Sequence, residues 1–404
     1  MGFSSVKEAV VQSVITGTVA GGGAAAIPYE PDWSTWDGTN DGTLAQDVFD
    51  GDYWNTGEYA QIDDTTSLHV YSTTDDAGTT YYLRAAVVTV DPIAKTLSLG
   101  TPVTLDTTSG VLGLPTLVKM ADNRYLAQNT VQANGTTTFY LLDATGAIVD
   151  EEVYSGDTLR GSPQRLARQT DTLALNAYRA HGDSDGWVFA IDVTSDNITF
   201  GTTVEFYNGV THSAQAAIVA LTDTRGIIGT NTSGFRYTLS GTTITIGSSV
   251  LINPSGGTNA SKKTEGLKID TDTALFVYRP HTGNTNRPYA SVVTDDGSTI
   301  ARVENAQIDT EQIDGWQSTA LIEVRPYISG TQDGLYLQAA QLSTTSNVVW
   351  MISWDGTDIT VEQDITVSSS TTATEHPTLH QFANGAVVFH YQDSVLWDWQ
   401  VLTP

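Results

Sequence analysis

Two stretches of this 404-residue chain gather side chains that could hold or act on a ligand. Arg179-Ala-His-Gly-Asp-Ser-Asp-Gly-Trp187 and Arg279-Pro-His-Thr-Gly-Asn-Thr-Asn-Arg287 each set an arginine and a histidine two residues apart, after a tyrosine-ended hydrophobic run. A guanidinium fork pairs with carboxylates, and an indole face packs on cations and sugar rings. Arg179, His181, Asp185, Trp187, Arg279 and His281 are therefore the candidate ligand-binding residues. The competing reading makes them solvated turn residues, with Trp187 packed between structural units. Asp183-Ser-Asp-Gly186 repeats part of a calcium loop, so Asp183 and Asp185 are the candidate Ca2+ ligands. The glutamate that closes such a loop is missing, and an ordinary turn is the simpler reading. No other metal and no cofactor is expected.

Catalytic groups are harder to single out. Glycoside hydrolysis needs two carboxylates at a fixed separation, and 46 acidic residues supply pairs without discriminating among them. There is no Gly-x-Ser-x-Gly elbow, no His-Glu-x-x-His helix and no phosphate-binding loop. His376 and His380 share a strand face, yet no third ligand joins them. Cysteine is absent, which removes disulfides, thiolate metal sites and a cysteine nucleophile. No catalytic residue is assigned, and the balance leans away from an enzyme. The net charge of −28 repels phosphate backbones and anionic bilayers, which argues against nucleic-acid and membrane partners. With 40% hydrophobic and only 16% charged residues, the chain still reads as foldable.

The elements that must position these groups are strands. Period-two alternation recurs, as in Thr242-Thr-Ile-Thr-Ile246 and Asp358-Ile-Thr-Val-Glu362, and no helical periodicity follows residue 28. The body is all β. A tight Asp/Asn turn followed by a hydrophobic run repeats, for instance at Gln169-Thr-Asp-Thr-Leu-Ala-Leu175 and Asp270-Thr-Asp-Thr-Ala-Leu-Phe-Val-Tyr278. With Asp64, Asp122, Asp171, Asp223, Asp272, Asp333 and Asn384 as markers, the gaps are 58, 49, 52, 49, 61 and 51 residues. That period suits four strands plus turns, the size of a β-propeller blade. The expected fold is a single seven-bladed, four-stranded β-propeller over 29–404, with six or eight blades as the alternative counts.

Units also close on a Gly-Thr phrase, read as a hairpin leading to a last strand, at Thr96–Leu105, Asn197–Phe206 and Gly241–Val250. The seventh unit lacks that strand, whereas Trp33–Val48 echoes the Trp354-Asp-Gly strand of the sixth. The N-terminal strand is thus expected to complete the C-terminal blade and shut the ring. Ahead of it, residues 1–28 read as a short helix and a Gly21-Gly-Gly-Ala-Ala-Ala26 hinge, with Val6, Val10, Val11, Val14 and Ile15 as its anchoring face. Glu8, Gln12, Ser13 and Thr16 interrupt this segment, so it makes a poor secretion signal.

Thr74, Asp76, Gly78, Thr80 and Tyr81 resemble the Asp-box of sialidases, which in that family is a structural turn. A sialidase would also need three converging arginines; Arg84, Arg179 and Arg279 are the candidates, without local support. The Asp-Thr turn, the Leu275-Phe-Val-Tyr278 strand and the Gly241-Thr-Thr-Ile-Thr-Ile-Gly247 phrase resemble propeller repeats of bacteriophage and virus particle proteins, such as tail-fibre-like and decoration proteins. That resemblance covers roughly residues 33–404. It implies a non-enzymatic virion component in multi-copy assembly, mounted on other virion proteins through residues 1–28 and contacting host-surface glycans. The alternatives are a secreted or virion-borne glycan-active enzyme of sialidase or glycosidase type, and a propeller lectin.

Overall fold

The computed structural model describes residues 52–402 except for the segments 76–78, 92–93, 95, 111, 122, 132–134, 157–164, 180–184, 209–215, 231, 254–263, 280–286, 311–319, 342–345, 369–377, 384 and 394–395. The expected arm, with Val6, Val10, Val11, Val14 and Ile15, and the expected closing strand Trp33–Val48 lie outside the described residues.

The chain forms antiparallel sheets in sequence order. Sheet I holds β1 (Asp52–Gln61), β2 (Thr66–Thr74), β3 (Tyr81–Asp91), β4 (Thr96–Leu99) and β5 (Val103–Thr108). Sheet II holds β6 (Thr116–Lys119), β7 (Tyr125–Val131), β8 (Thr136–Leu142) and β9 (Ile148–Tyr154). Sheet III holds β10 (Arg165–Arg168), β11 (Leu173–Arg179), β12 (Gly186–Asp192), β13 (Thr199–Phe200) and β14 (Val204–Tyr207). Sheet IV runs through β15 (Ala217–Thr222), β16 (Arg225–Gly229), β17 (Ser233–Ser240) and β18 (Thr243–Leu251). Sheet V contains β19 (Glu265–Lys268), β20 (Thr273–Tyr278), β21 (Tyr289–Asp295) and β22 (Ile300–Gln307). Sheet VI contains β23 (Ala320–Arg325), β24 (Gly334–Gln341), β25 (Asn347–Trp354) and β26 (Ile359–Ser368). Sheet VII has β27 (Thr378–Gln381), β28 (Val387–Asp393) and β29 (Leu396–Leu402).

The first strands of successive sheets touch in the order β1, β6, β10, β15, β19, β23, β27, and β27 returns to β1. The protein is a single β-propeller. Six sheets are complete blades of four rows; sheet VII shows three strands among the described residues. Seven complete four-stranded blades were expected, and the structure corrects that count to six.

The Gly-Thr phrases also need correction at two of three places. β4 and β5 both pair with β3, and β13 and β14 both pair with β12. Gly100 and Gly201 therefore interrupt one outer strand and do not turn a hairpin. Each donates its N–H back to the third strand, to Val87 O at 2.7 Å and Ala190 O at 2.9 Å. Pro102, which has no N–H for the ladder, follows the first break. Gly241, at φ +59°, does turn the β17–β18 hairpin.

At the Asp64 and Asp272 markers the turn is closed by a side chain just ahead of the marker. Asp63 Oδ1 accepts the Thr65 and Thr66 N–H groups at 3.0 and 2.9 Å, and Asp270 Oδ1 accepts that of Asp272 at 2.8 Å. The strand leaving the turn is buried on both faces, which is why Thr273–Tyr278 is hydrophobic without alternation. Seven apolar clusters form, each shared by two neighbouring sheets, and the last joins sheet VII to sheet I. Between sheets II and III, Tyr154 stacks on Phe189 with centroids 4.4 Å apart, and Phe139 meets Phe189 edge-on at 5.9 Å. Rings buried this way contribute about 1.5–3 kcal/mol each.

The VII–I contact carries two histidines, His69 and His380. His69 is fully buried, stacks on Tyr59 at 4.0 Å and Tyr71 at 5.0 Å, and its Nδ1 pairs with the Glu58 carbonyl oxygen at 3.2 Å. His380 stacks on Tyr59 at 5.1 Å and pairs with Ser67 Oγ at 2.6 Å. Burial pulls both imidazoles down to about 3. An unfolded histidine protonates near 6.5, so the unfolded chain binds more protons between those values. The seam's contribution is intact above about pH 6.5 and falls away as the pH drops toward 3. At pH 5.5 each histidine should withdraw about 1.4 kcal/mol of stability relative to pH 7.5. Urea titrations at both pH values should show that loss in the native chain, and a His69→Gln/His380→Gln chain should lose markedly less.

Candidate functional site

The first strands run from the face that carries the second-to-third-strand connections toward the marker turns, and three of them bring charge to the axis. Arg165 opens β10 in sheet III, Glu265 opens β19 in sheet V, and Glu58 lies in β1 of sheet I. Arg165 Nη1 pairs with Glu58 Oε1, and Nη2 pairs with Glu265 Oε1. These sheets are not neighbours in the ring, so one guanidinium links three blades across the centre. The backbone N–H of Leu117, on β6 in sheet II, donates to Glu58 Oε2 at 3.1 Å. The three side chains are only 12%, 24% and 14% exposed for Arg165, Glu58 and Glu265. Burial draws the Arg165 guanidinium below its usual range, and the Glu58 charge opposes that shift.

A buried polar row accompanies this cluster. Gln128 Oε1 accepts from Thr116 Oγ1 at 3.0 Å and from Asn176 Nδ2 at 3.3 Å, and Gln128 Nε2 donates to Thr130 Oγ1 at 3.2 Å. Across the ring on β23, the half-buried Glu323 carboxyl is pushed up by burial. The Tyr336 phenol beside it is raised as well, by burial first and then by the Glu323 charge.

The residues singled out from sequence fall differently. His181, Asp183 and His281 lie outside the described residues, as do Asp76, Gly78 and His376. Arg179 ends β11; its side chain is not among those described. Asp185 precedes β12 and is partly buried. Trp187, on β12, stands opposite Tyr178 and packs on the apolar cluster between sheets II and III. Its indole belongs to the blade interface and not to an open loop. Arg279 follows β20 and is 2% exposed, so it is no solvated turn residue. Arg84 lies on β3, with its guanidinium 5.1 Å from the centre of the Tyr82 ring. Arg84, Arg179 and Arg279 thus belong to sheets I, III and V.

The Asp-box-like segment falls between β2 and β3, with residues 76–78 outside the described residues. Asp75 Oδ1 accepts the Thr79 and Thr80 N–H groups at 2.7 and 3.1 Å, which holds its carboxyl down at about 2. No group of three His, Asp or Glu side chains is placed to hold a metal ion among the described residues.

Glu58, Arg165 and Glu265 were not anticipated from the sequence. Their signal was positional: they precede the markers Asp64, Asp171 and Asp272 by six, six and seven residues. Superposing the repeat units would have placed all three on the innermost strand. Replacing Arg165 with Met leaves two carboxylates facing each other without a cation, and should destabilise the chain by about 3–5 kcal/mol. Adding Glu58→Gln and Glu265→Gln to that variant should restore most of the urea midpoint.

No family model matches the chain, and no curated protein matches its sequence. Solved structures do resemble it. A protein from Lactobacillus plantarum aligns at 12% identity over 78% of this chain and 86% of its own, with TM-score 0.50. A mutant of NanB sialidase from Streptococcus pneumoniae aligns at 10% identity over 94% and 71%, with TM-score 0.50. The β-propeller domain of Nup133 from Vanderwaltozyma polyspora aligns at 11% identity over 85% and 99%, with TM-score 0.47. At such identities the first two likenesses are of fold alone.

Proposed function

We propose that this chain is a non-enzymatic structural and interaction component of a phage or virus particle, a propeller head mounted through residues 1–28 and contacting host-surface glycans. The observation that carries the non-enzymatic part is the state of the axial carboxylates. The described first strands hold three glutamates, Glu58, Glu265 and Glu323, and two of them are engaged by the single guanidinium of Arg165. Carboxylates fixed in that way are poor partners for the acid and base of hydrolysis, which need one free nucleophile or base and one protonated acid. The virion part rests on the repeat style and on a formal net charge of −28 that suits exposure in saline water.

One observation favours a second reading, a glycan-active enzyme of the kind the NanB likeness invites. Glu323 is half-buried with a raised carboxyl on the same ring of strands, as a general acid would be.

Both readings meet in one pair of measurements. Particles released from cells that carry the gene are banded on a density gradient, probed for the chain by mass spectrometry and labelled with a gold-tagged antibody. The full-length chain is also incubated with fluorogenic sialoside, arabinofuranoside, galactoside and glucoside. The expected result is gold on the particle exterior and no turnover. Absence from the particles, or turnover that Glu323→Gln removes, would overturn the proposal and favour the enzyme.

A further inference from the structure

The complete sheets of this ring end on an outer strand whose far edge pairs with no further strand among the described residues. Such an edge offers unpaired N–H and C=O groups to other chains, and proteins commonly break it up. In sheets I and III the outer row is interrupted at Gly100 and Gly201, and Pro102 stands in the first of those breaks. In β18, β22 and β26 a shift of register falls inside the strand. β9 is different. Its shift lies at Val149, next to its first residue, and Asp150–Tyr154 then pairs with Leu141–Thr137 without a break.

The same strand is apolar for an edge. Ile148, Val149 and Val153 are 41%, 37% and 51% exposed, and only three other large apolar side chains stand out to that degree among the described residues. Glu151 and Glu152, between them, are exposed as well. Asp150 Oδ2 accepts the Ile198 N–H at 2.7 Å and Tyr154 stacks on Phe189, so the side of β9 that carries residues 150, 152 and 154 is turned to sheet III. Glu151 and Val153 stand on the other side. The edge therefore carries one exposed glutamate on each of its faces, with β-branched side chains around the pair.

We infer that the outer edge of β9 docks an extended segment of another protein, one in which two consecutive basic residues are flanked by β-branched ones. Added as a fifth strand of sheet II, such a segment takes up the outward backbone groups of Asp150–Tyr154. Consecutive residues of a strand point to opposite faces, so a pair of lysines or arginines sets one cation against each glutamate. Valine or isoleucine on either side of that pair covers Val149 and Val153. A second copy of this chain fits poorly. An antiparallel β9 centred on Glu152 sets that residue against its own copy, and one centred on Glu151 does the same and sets Asp150 against Glu152. Residues 1–51 hold one basic residue, Lys7, against seven acidic ones, so they lack the matching charge too. The edge is the same on or off a particle, so the inference goes beyond the virion reading and stands apart from it.

The test uses the full-length chain and a fluorescein-labelled peptide, acetyl-Thr-Val-Lys-Lys-Val-Thr-amide, read by fluorescence polarisation at physiological ionic strength. The peptide should bind, and Glu151→Lys/Glu152→Lys should weaken it tenfold or more with Tm unchanged. That variant should in turn bind the peptide with Glu-Glu in place of Lys-Lys, which a misfolded chain would not do. Methylating two consecutive backbone nitrogens of the first peptide, one of which must face β9, should also weaken binding tenfold or more. Three outcomes overturn the inference: the native chain does not bind, the methylated peptide binds as well as its parent, or the double variant binds as the native chain does. The second of these would reduce the binding to diffuse attraction by an acidic surface. A native chain that sediments as a dimer and excludes the peptide would give the edge to a second copy, and overturn it as well.

Discussion

Each sheet of this protein is apolar on both faces, and that single constraint organises everything else. A sheet that must cover both faces cannot pair with one partner and stop; it needs a neighbour on either side. Repeated at intervals of about 50 residues, the demand is met by a cycle in which every apolar cluster is shared by two sheets. The charged residues then fill the places that burial leaves over. Arg225 and Arg236 of sheet IV close on Asp295 of sheet V near the rim, and Arg165 takes a location from which two other sheets are reached at once.

That location gives the axial cluster its character. Along a sheet, an ion pair joins neighbours and competes with water on an exposed surface, where it is worth little. Here the same chemistry is enclosed, and Glu58 is further held by the Leu117 N–H. Removing Arg165 leaves two carboxylates without their cation. The cluster ties sheets I, III and V together across the centre of the ring.

Much of the architecture was legible in the sequence. The Asp-Thr turns lie where the strands reverse, because a short polar side chain ahead of the marker captures free N–H groups, as Asp63 and Asp270 do. The hydrophobic runs after those turns are the doubly buried second strands. What could not be read had physical causes. Gly100 and Gly241 look alike locally, yet the first interrupts an outer strand and the second turns a hairpin, a choice made by pairing with the third strand. Trp187 stood among loop residues, but strand register carries it into an apolar interface. The partners of Arg165 lie more than a hundred residues up and down the chain, at Glu58 and Glu265, and no local pattern announces a contact through the axis.

The histidine–tyrosine seam has a consequence for how the ring comes into being. Ser67 and His380 are 313 residues apart, so this contact joins two ends of a long array. Bringing them together adds loop-closure entropy that no contact between consecutive sheets has to overcome, and long-range pairings of this type form late. Until they form, sheets I and VII each present an apolar face to solvent, in a shape that invites the complementary face of another molecule. Assembly of the circle is thus a race between self-recognition and exchange with a second copy, decided by concentration as much as by sequence.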